Sequence, residues 1–354
     1  MGLPEINIKF ETLAVSAIQR SARGIVALIL KDSTVTTFDT KIYTGIDEVK
    51  TEDWTAKNRD YISKAFKGTP SKVIVERIAA DAADYNAALG RLKNKKWNYL
   101  AIPEIDADEV DDMASWIKTQ RTTYKKSYKV VLPKCVADDE GIINSDTEDV
   151  KVGSTPYTTA EYCARFAGIL AGLPFTRSAT YYILDEVTSI KESTTPDEDI
   201  NAGKLILIND GEHIKIGRGV NSLTTTSPTK SAKFKKIKII EAIDQMRDDI
   251  RQVWEDEYTG KVNNFYDNKM LFVSSVNGYF KALQKEEVLD PDFDAVADVS
   301  TDAQRLYLQS IGVNVANLSD AQIRKYNTGS KTFIKASGSP LDAMEDLDFS
   351  MQIV

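Results

Sequence analysis

Groups able to carry imidazole or thiol chemistry are few in this 354-residue chain: one histidine, His213, and two cysteines, Cys135 and Cys163. A Ser-His-Asp or Cys-His centre would have to use His213, yet no G-x-S-x-G elbow or other nucleophile setting accompanies it. Zinc needs about four nitrogen or sulfur ligands, and one His with two scattered Cys and no C-x-x-C spacing cannot supply them. Carboxylates are plentiful but fall in runs, at 104–112, 138–149, 185–186 and 197–199. Such runs read as solvated acidic loops rather than as the matched pair a glycosidase uses. Asp290-Pro-Asp292-Phe-Asp294 has neither the turn glycine nor the distal glutamate of a calcium loop. No glycine-rich phosphate cradle occurs, neither G-x-G-x-x-G nor G-x-x-x-x-G-K-[ST]. The expectation is a chain with no catalytic centre, no cofactor and no metal.

The chemistry that remains is electrostatic. Lys230, Lys233, Lys235, Lys236 and Lys238 form a basic run, while Asp342, Glu345, Asp346 and Asp348 form an acidic segment without Lys or Arg. These opposite charges suit contact between copies and suit pairing within one subunit equally. A net charge of −8 argues against nucleic-acid binding, which depends on neutralising phosphates. No apolar run approaches the ~20 residues of a membrane span, and no signal peptide is evident. Two isolated cysteines fit folding in a reducing cytoplasm.

Positioning these groups is a series of alternating elements. Residues 24–30, 71–76, 97–102 and 129–132 read as strands, and 47–66, 80–93 and 108–122 between them as helices. That order predicts a mostly parallel sheet. Helices follow at 160–171, where small residues at Ala164, Ala167, Gly168 and Ala171 suit close packing, and at 237–258, 264–287, 301–311 and 319–326. Residues 204–216 read as a hairpin turning at Asp210-Gly211. Both ends alternate like strands: Ile6, Ile8 and Phe10 near the start, Leu347, Phe349, Met351 and Ile353 near the finish. Residues 331–336 read as the finish's hairpin partner across 337–340.

Three segments then resemble one family. Arg218-Gly-Val-Asn-Ser-Leu-Thr-Thr225 followed by Phe234-Lys-Lys-Ile-Lys-Ile-Ile240, the opening Gly2-Leu-Pro-Glu-Ile-Asn-Ile8 with Ser21-Ala-Arg-Gly-Ile25, and Asp342-Ala-Met-Glu-Asp346 are similar to contractile tail sheath proteins. The likeness is to those of myophages, defective prophages and diffocin-like R-type bacteriocins of Gram-positive hosts. It implies a structural subunit made in the bacterial cytoplasm and released in a phage tail or bacteriocin particle. It implies stacked hexameric rings forming a helical sleeve around an inner tube protein, with baseplate and tail terminator proteins as further partners, and no nucleic acid or membrane insertion. Contraction would drive the tube through a target envelope.

The fold expected is mixed α/β: strands alternating with helices, a C-terminal α+β sheath domain, and strand arms at both termini. The divisions are 1–22 (arm and linker), 23–180 (outer domain), 181–336 (sheath core) and 337–354 (arm). By the same resemblance the terminal arms would join neighbouring subunits, with Thr332, Phe333, Ile334 and Lys335 as receiving strand and residues near 12–23 and 337–341 as flexible connections. Lys233, Lys235, Lys236, Arg324 and Lys325 are the candidate tube contacts.

Overall fold

The computed structural model describes residues 24–353, which fall into two compact units. Of the described residues, one unit takes in 24–244 and again 342–353; the other takes in 245–341. The division falls inside a helix rather than near residue 180, because the segment after 180 returns to the first sheet.

In the first unit the strands are β1 (Ile25–Lys31), β2 (Thr40–Tyr43), β3 (Lys72–Ile78), β4 (Tyr99–Ala101), β5 (Lys129–Pro133) and β6 (Ile142–Ser145). Between them lie α1 (Ala56–Phe66), α2 (Asn86–Leu92) and α3 (Val110–Thr122). Next come β7 (Glu148–Val152), β8 (Thr155–Tyr157), α4 (Thr159–Gly172) and β9 (Val187–Lys191), the three strands forming a small separate sheet. After α5 (Pro196–Asn201), β10 (Lys204–Leu205) pairs parallel with β6, giving the seven-stranded order β10-β6-β5-β4-β1-β3-β2. All neighbours are parallel except β2 against β3. The predicted hairpin forms between β11 (Leu207–Asn209) and β12 (Ile214–Ile216).

β1 is an apolar run because both of its faces are covered. Val26, Leu28 and Leu30 pack toward α1 and α4, whereas Ile25, Ala27 and Ile29 pack toward α2 and α3. The small residues of α4 serve the expected close approach: a Cβ added to Gly168 would lie 2.1 Å from the carbonyl oxygen of Ala65 in α1. α4 begins with a capping box in which Thr158 and Glu161 satisfy each other's backbone N–H.

α6 (Ile237–Val253) starts in this unit and is fixed there by buried ions. Asp244 accepts from Arg121 at 2.8 Å and from Lys129 at 3.2 Å, and Glu241 lies 3.0 Å from Lys129 and accepts from the Tyr99 hydroxyl. Burial opposes the charge on Lys129, yet Glu241 and Asp244 hold its ammonium above the usual lysine range.

The second unit continues α6 through a π turn at Trp254–Tyr258 into α7 (Tyr266–Lys285). It adds β13 (Val296–Val299), α8 (Thr301–Ser310), α9 (Asp320–Lys325) and β14 (Ile334–Ser337). β13 and β14 pair antiparallel as a sheet of two strands. β14 therefore pairs with β13, Val299 opposite Ile334 and Val296 opposite Ser337, and not with the chain's finish. The segment expected to be loose at 337–341 is held as well. Ser339 and Val288 carbonyls accept from the N–H groups of Asp290 and Leu341, and Leu289 bridges Pro340.

Candidate functional site: an open sheet edge and an anchored tail

Antiparallel pairing alternates between residues that exchange backbone bonds with their partner and residues that face away. In β13, Ala297 faces away, and its edge is already taken: its N–H donates to Asn277 Oδ1 at 2.7 Å and its carbonyl accepts from Asn277 Nδ2 at 3.1 Å. Ala297 stands opposite Ala336, so Ala336 also faces away from the pair, as does Ile334 two residues earlier. Ser300 N–H donating to the Phe333 carbonyl confirms the alternation, since 333 and 335 face inward. β13 is closed by a side chain; β14 presents the backbone groups of Ile334 and Ala336 outward. Of the residues expected to receive an arm, Ile334 and Lys335 lie in β14, and Thr332 and Phe333 lead into it rather than lie inside it.

Ile334 lies on the rim of an apolar groove of about 430 Å³ that Ile250, Trp254 and Phe272 line, with Arg247 and Arg251 beside them. Trp254 stacks on Tyr258 at 5.7 Å and meets Phe272 edge-on at 4.8 Å, so the π turn supplies a rigid aromatic wall. On the other face of the strand, Phe333 packs at 5.2 Å against Tyr307, and Lys335 is exposed.

The tail forms no strand among the described residues. Leu347, Phe349, Met351 and Ile353 are 88%, 75%, 68% and 85% exposed, so the alternating apolar face has no cover among the described residues. Its root is different. Glu345 is nearly buried; it accepts from Ser178 Oγ at 2.8 Å and Thr180 Oγ1 at 2.6 Å, with Lys236 Nζ at 3.0 Å. Asp342 meets Lys236 at 2.5 Å and Asp346 pairs with Arg218. Burial pushes the Glu345 carboxyl up, but the hydroxyls of Thr180 and Ser178 and the Lys236 ammonium outweigh it and hold it below the usual range. Asn221, fully buried, links Phe234 and Leu223 and so sets Lys236 beside Arg218.

The remaining sequence candidates separate. Ile6, Ile8 and Phe10 lie outside the described residues. Lys236 is engaged internally, which answers how part of the basic run and the acidic segment are used: they pair within one subunit. Arg324 likewise pairs with Asp298. Lys233 and Lys325 are exposed and Lys235 is half-buried, in different units. His213 sits exposed in the β11–β12 turn, where its backbone N–H caps Asp210. Cys135 and Cys163 are buried thiols, and burial pushes them up to about 11 and about 12. Sequence reading missed the Asn277 edge closure, whose only signal is one asparagine in a helix, and the Ser178-Thr180 cradle.

Profiles of known families give this arrangement its context. The phage tail sheath protein central domain matches residues 79–222, and the phage tail sheath C-terminal domain matches residues 229–354. The tail sheath protein of Clostridium phage phiCD119 is 37% identical over 367 aligned residues, covering 99% of both chains. Among solved structures, the sheath tail protein from Desulfitobacterium hafniense aligns with a TM-score of 0.71 at 18% identity, over 84% of this chain and 93% of that one. The helical sheath of the anti-feeding prophage in its contracted state aligns with a TM-score of 0.73 at 11% identity, over 99% of both. Those two likenesses establish the fold, and the full-length match with the two domain profiles establishes the kinship. The chain belongs to the phage tail sheath protein family.

Proposed function

We propose that this subunit polymerises into a sleeve around an inner tail tube, and that the sleeve contracts to drive the tube through a target envelope. The observation that carries the reading is a pair of complementary deficiencies among the described residues: one strand edge without a backbone partner, and one alternating apolar tail without a cover. Adding Leu347–Ile353 of a second copy to β14 remedies both, because main-chain bonds satisfy Ile334 and Ala336 while the apolar face covers the groove at Trp254 and Phe272. Aromatic and β-edge surfaces left open on a stable subunit are otherwise aggregation hazards.

Energy for contraction is then stored as a difference between two packings of the assembly, and no bound nucleotide is needed. The arm at Ile6, Ile8 and Phe10 would make a corresponding link. Lys233, Lys235 and Lys325 are the cations left to meet an inner tube, and baseplate and terminator proteins would bound the sleeve. Carriage of the finished particle out of the producing cell follows from the same reading.

Removing Asp348–Val354 tests it. The shortened protein should stay folded, with an unchanged unfolding transition, and form no sleeves by electron microscopy. Sleeves of normal length from the shortened protein would refute the reading.

A further inference from the structure

The acidic segment 342–346 does something other than reach outward. It lies in a built cradle: Ser178 and Thr180 are themselves hydrogen-bonded, Oγ to Oγ1 at 3.0 Å and Thr180 N–H to Ser178 Oγ at 3.1 Å, and Thr180 Oγ1 accepts from Gly219 N–H at 3.0 Å. The cradle thus exists as a fixed arrangement into which one carboxylate fits. Glu345 occupies it with its side chain only 4% exposed, while its neighbour Met344 is fully exposed and 347–353 are exposed throughout. Open clefts of about 260 Å³ and 650 Å³ flank the contact, so Glu345 is a single pin rather than part of a continuous core.

We propose that Glu345 is a positioning residue that pins the root of the C-terminal arm, fixing both the arm's reach and the face its apolar residues present. The assignment rests on the arm being the connection between copies. Strands advance about 3.3 Å per residue, so releasing 342–346 would lengthen the free arm by about 17 Å. A fixed root also sets parity: side chains alternate, so a one-residue shift between root and strand turns Leu347, Phe349, Met351 and Ile353 to the wrong face. Lys236 contributes by holding Asp342 and Glu345 together, and Arg218 by pairing with Asp346. The Arg218-Gly-Val-Asn and Asp342-Ala-Met-Glu-Asp segments, 124 positions apart from first residue to first residue, are therefore two halves of one device.

The test uses the full chain with one serine inserted between Asp346 and Leu347. Sleeve formation should be lost. The same insertion combined with Asp342→Ala and Glu345→Ala should restore sleeves, because the freed segment supplies slack to recover the register; the remaining Arg218–Asp346 pair is exposed and weak. Restoration should need about tenfold more subunit, since the arm is no longer preorganised. Glu345→Gln, which keeps an acceptor for the two hydroxyls, should assemble within about threefold of the native concentration. The insertion alone should leave the unfolding midpoint at the native value. Insertion tolerated with Glu345 in place overturns the pin, as does an insertion that stays inactive after release. The shortened protein lacking 348–354 separates the two ideas: if it still assembles, the arm reading fails, and if it does not, the insertion series judges the pin alone.

Discussion

The two principal sheets differ in whether the chain completes them. The seven-stranded sheet has helices on both faces, and its central strand β1 is buried from Ile25 to Leu30. The β13–β14 sheet has two strands, one edge closed by Asn277 and the other bare, and three of the four residues of β14 are exposed. Two strands alone are marginal in water. The first sheet is thus a finished rigid body. The second is a two-stranded fragment with one edge open among the described residues, and it is there that the proposed arm of a second copy would add. On the proposed reading, stability and assembly lie in different places, and substitutions should separate them.

The largest effect on stability is expected in the finished part. Asp244→Ala leaves Arg121 and Lys129 buried with their shared carboxylate removed, a change that costs about 3 kcal/mol. Denaturant unfolding should show a lower midpoint with a similar slope. A loss under 1 kcal/mol would mean that Glu241 and Glu140 suffice and that the ion cluster is not what fixes α6.

A proline at Ala336 should do the reverse. Its missing N–H is one that faces away from β13, so pairing with Ala297 survives. Unfolding should change by about 1 kcal/mol or less, and sleeves should not form. A proline variant that assembles normally would place the partner strand elsewhere.

The smallest effect should come from acid. Glu345 is held below the usual carboxylate range, so its contribution is fully present above the unfolded glutamate value of about 4.3. It is lost as pH falls through the lower folded value. Backbone relaxation of 342–346 should therefore report a loosened root once pH falls below that lowered value, while the apolar layers about β1 persist. A root that stays ordered at acid pH in the native chain, or one equally mobile at pH 7, would remove the carboxylate from the account.

Much of the finished sheet is legible in the sequence, because buried parallel strands are apolar runs and their covering helices carry period-3.6 patterns. β1, β3, β4 and β5 all fall where the runs place them. β2 and β10 are not legible: one is a four-residue edge of mixed polarity, the other two residues long. The open sheet misleads in an instructive way. Alternation at 347–353 suggests a strand, and the turn-like 337–340 suggests a hairpin; the described tail forms no strand within the subunit, and alternation names a face and never a partner. The partner of β14 is fixed by Pro340 lying against Leu289 and by Asn277, contacts that no local pattern announces. The acidic and basic runs are equally plain as charges. That they meet inside one subunit depends on Asn221 and the Ser178-Thr180 turn, which bring together segments over a hundred residues apart.

The direct test of the central claim uses two proteins that each carry one added exposed cysteine, with Cys135 and Cys163 left buried. One carries Lys335→Cys on the exposed face of β14, the other Ser350→Cys on the polar face of the tail. Mixed, assembled and oxidised, they should give a disulfide-linked dimer between the two proteins, and little within either protein alone. Sleeves that form from the mixture without that dimer, while Asp348 and Gln352 placed in the same way also fail to link, would contradict it.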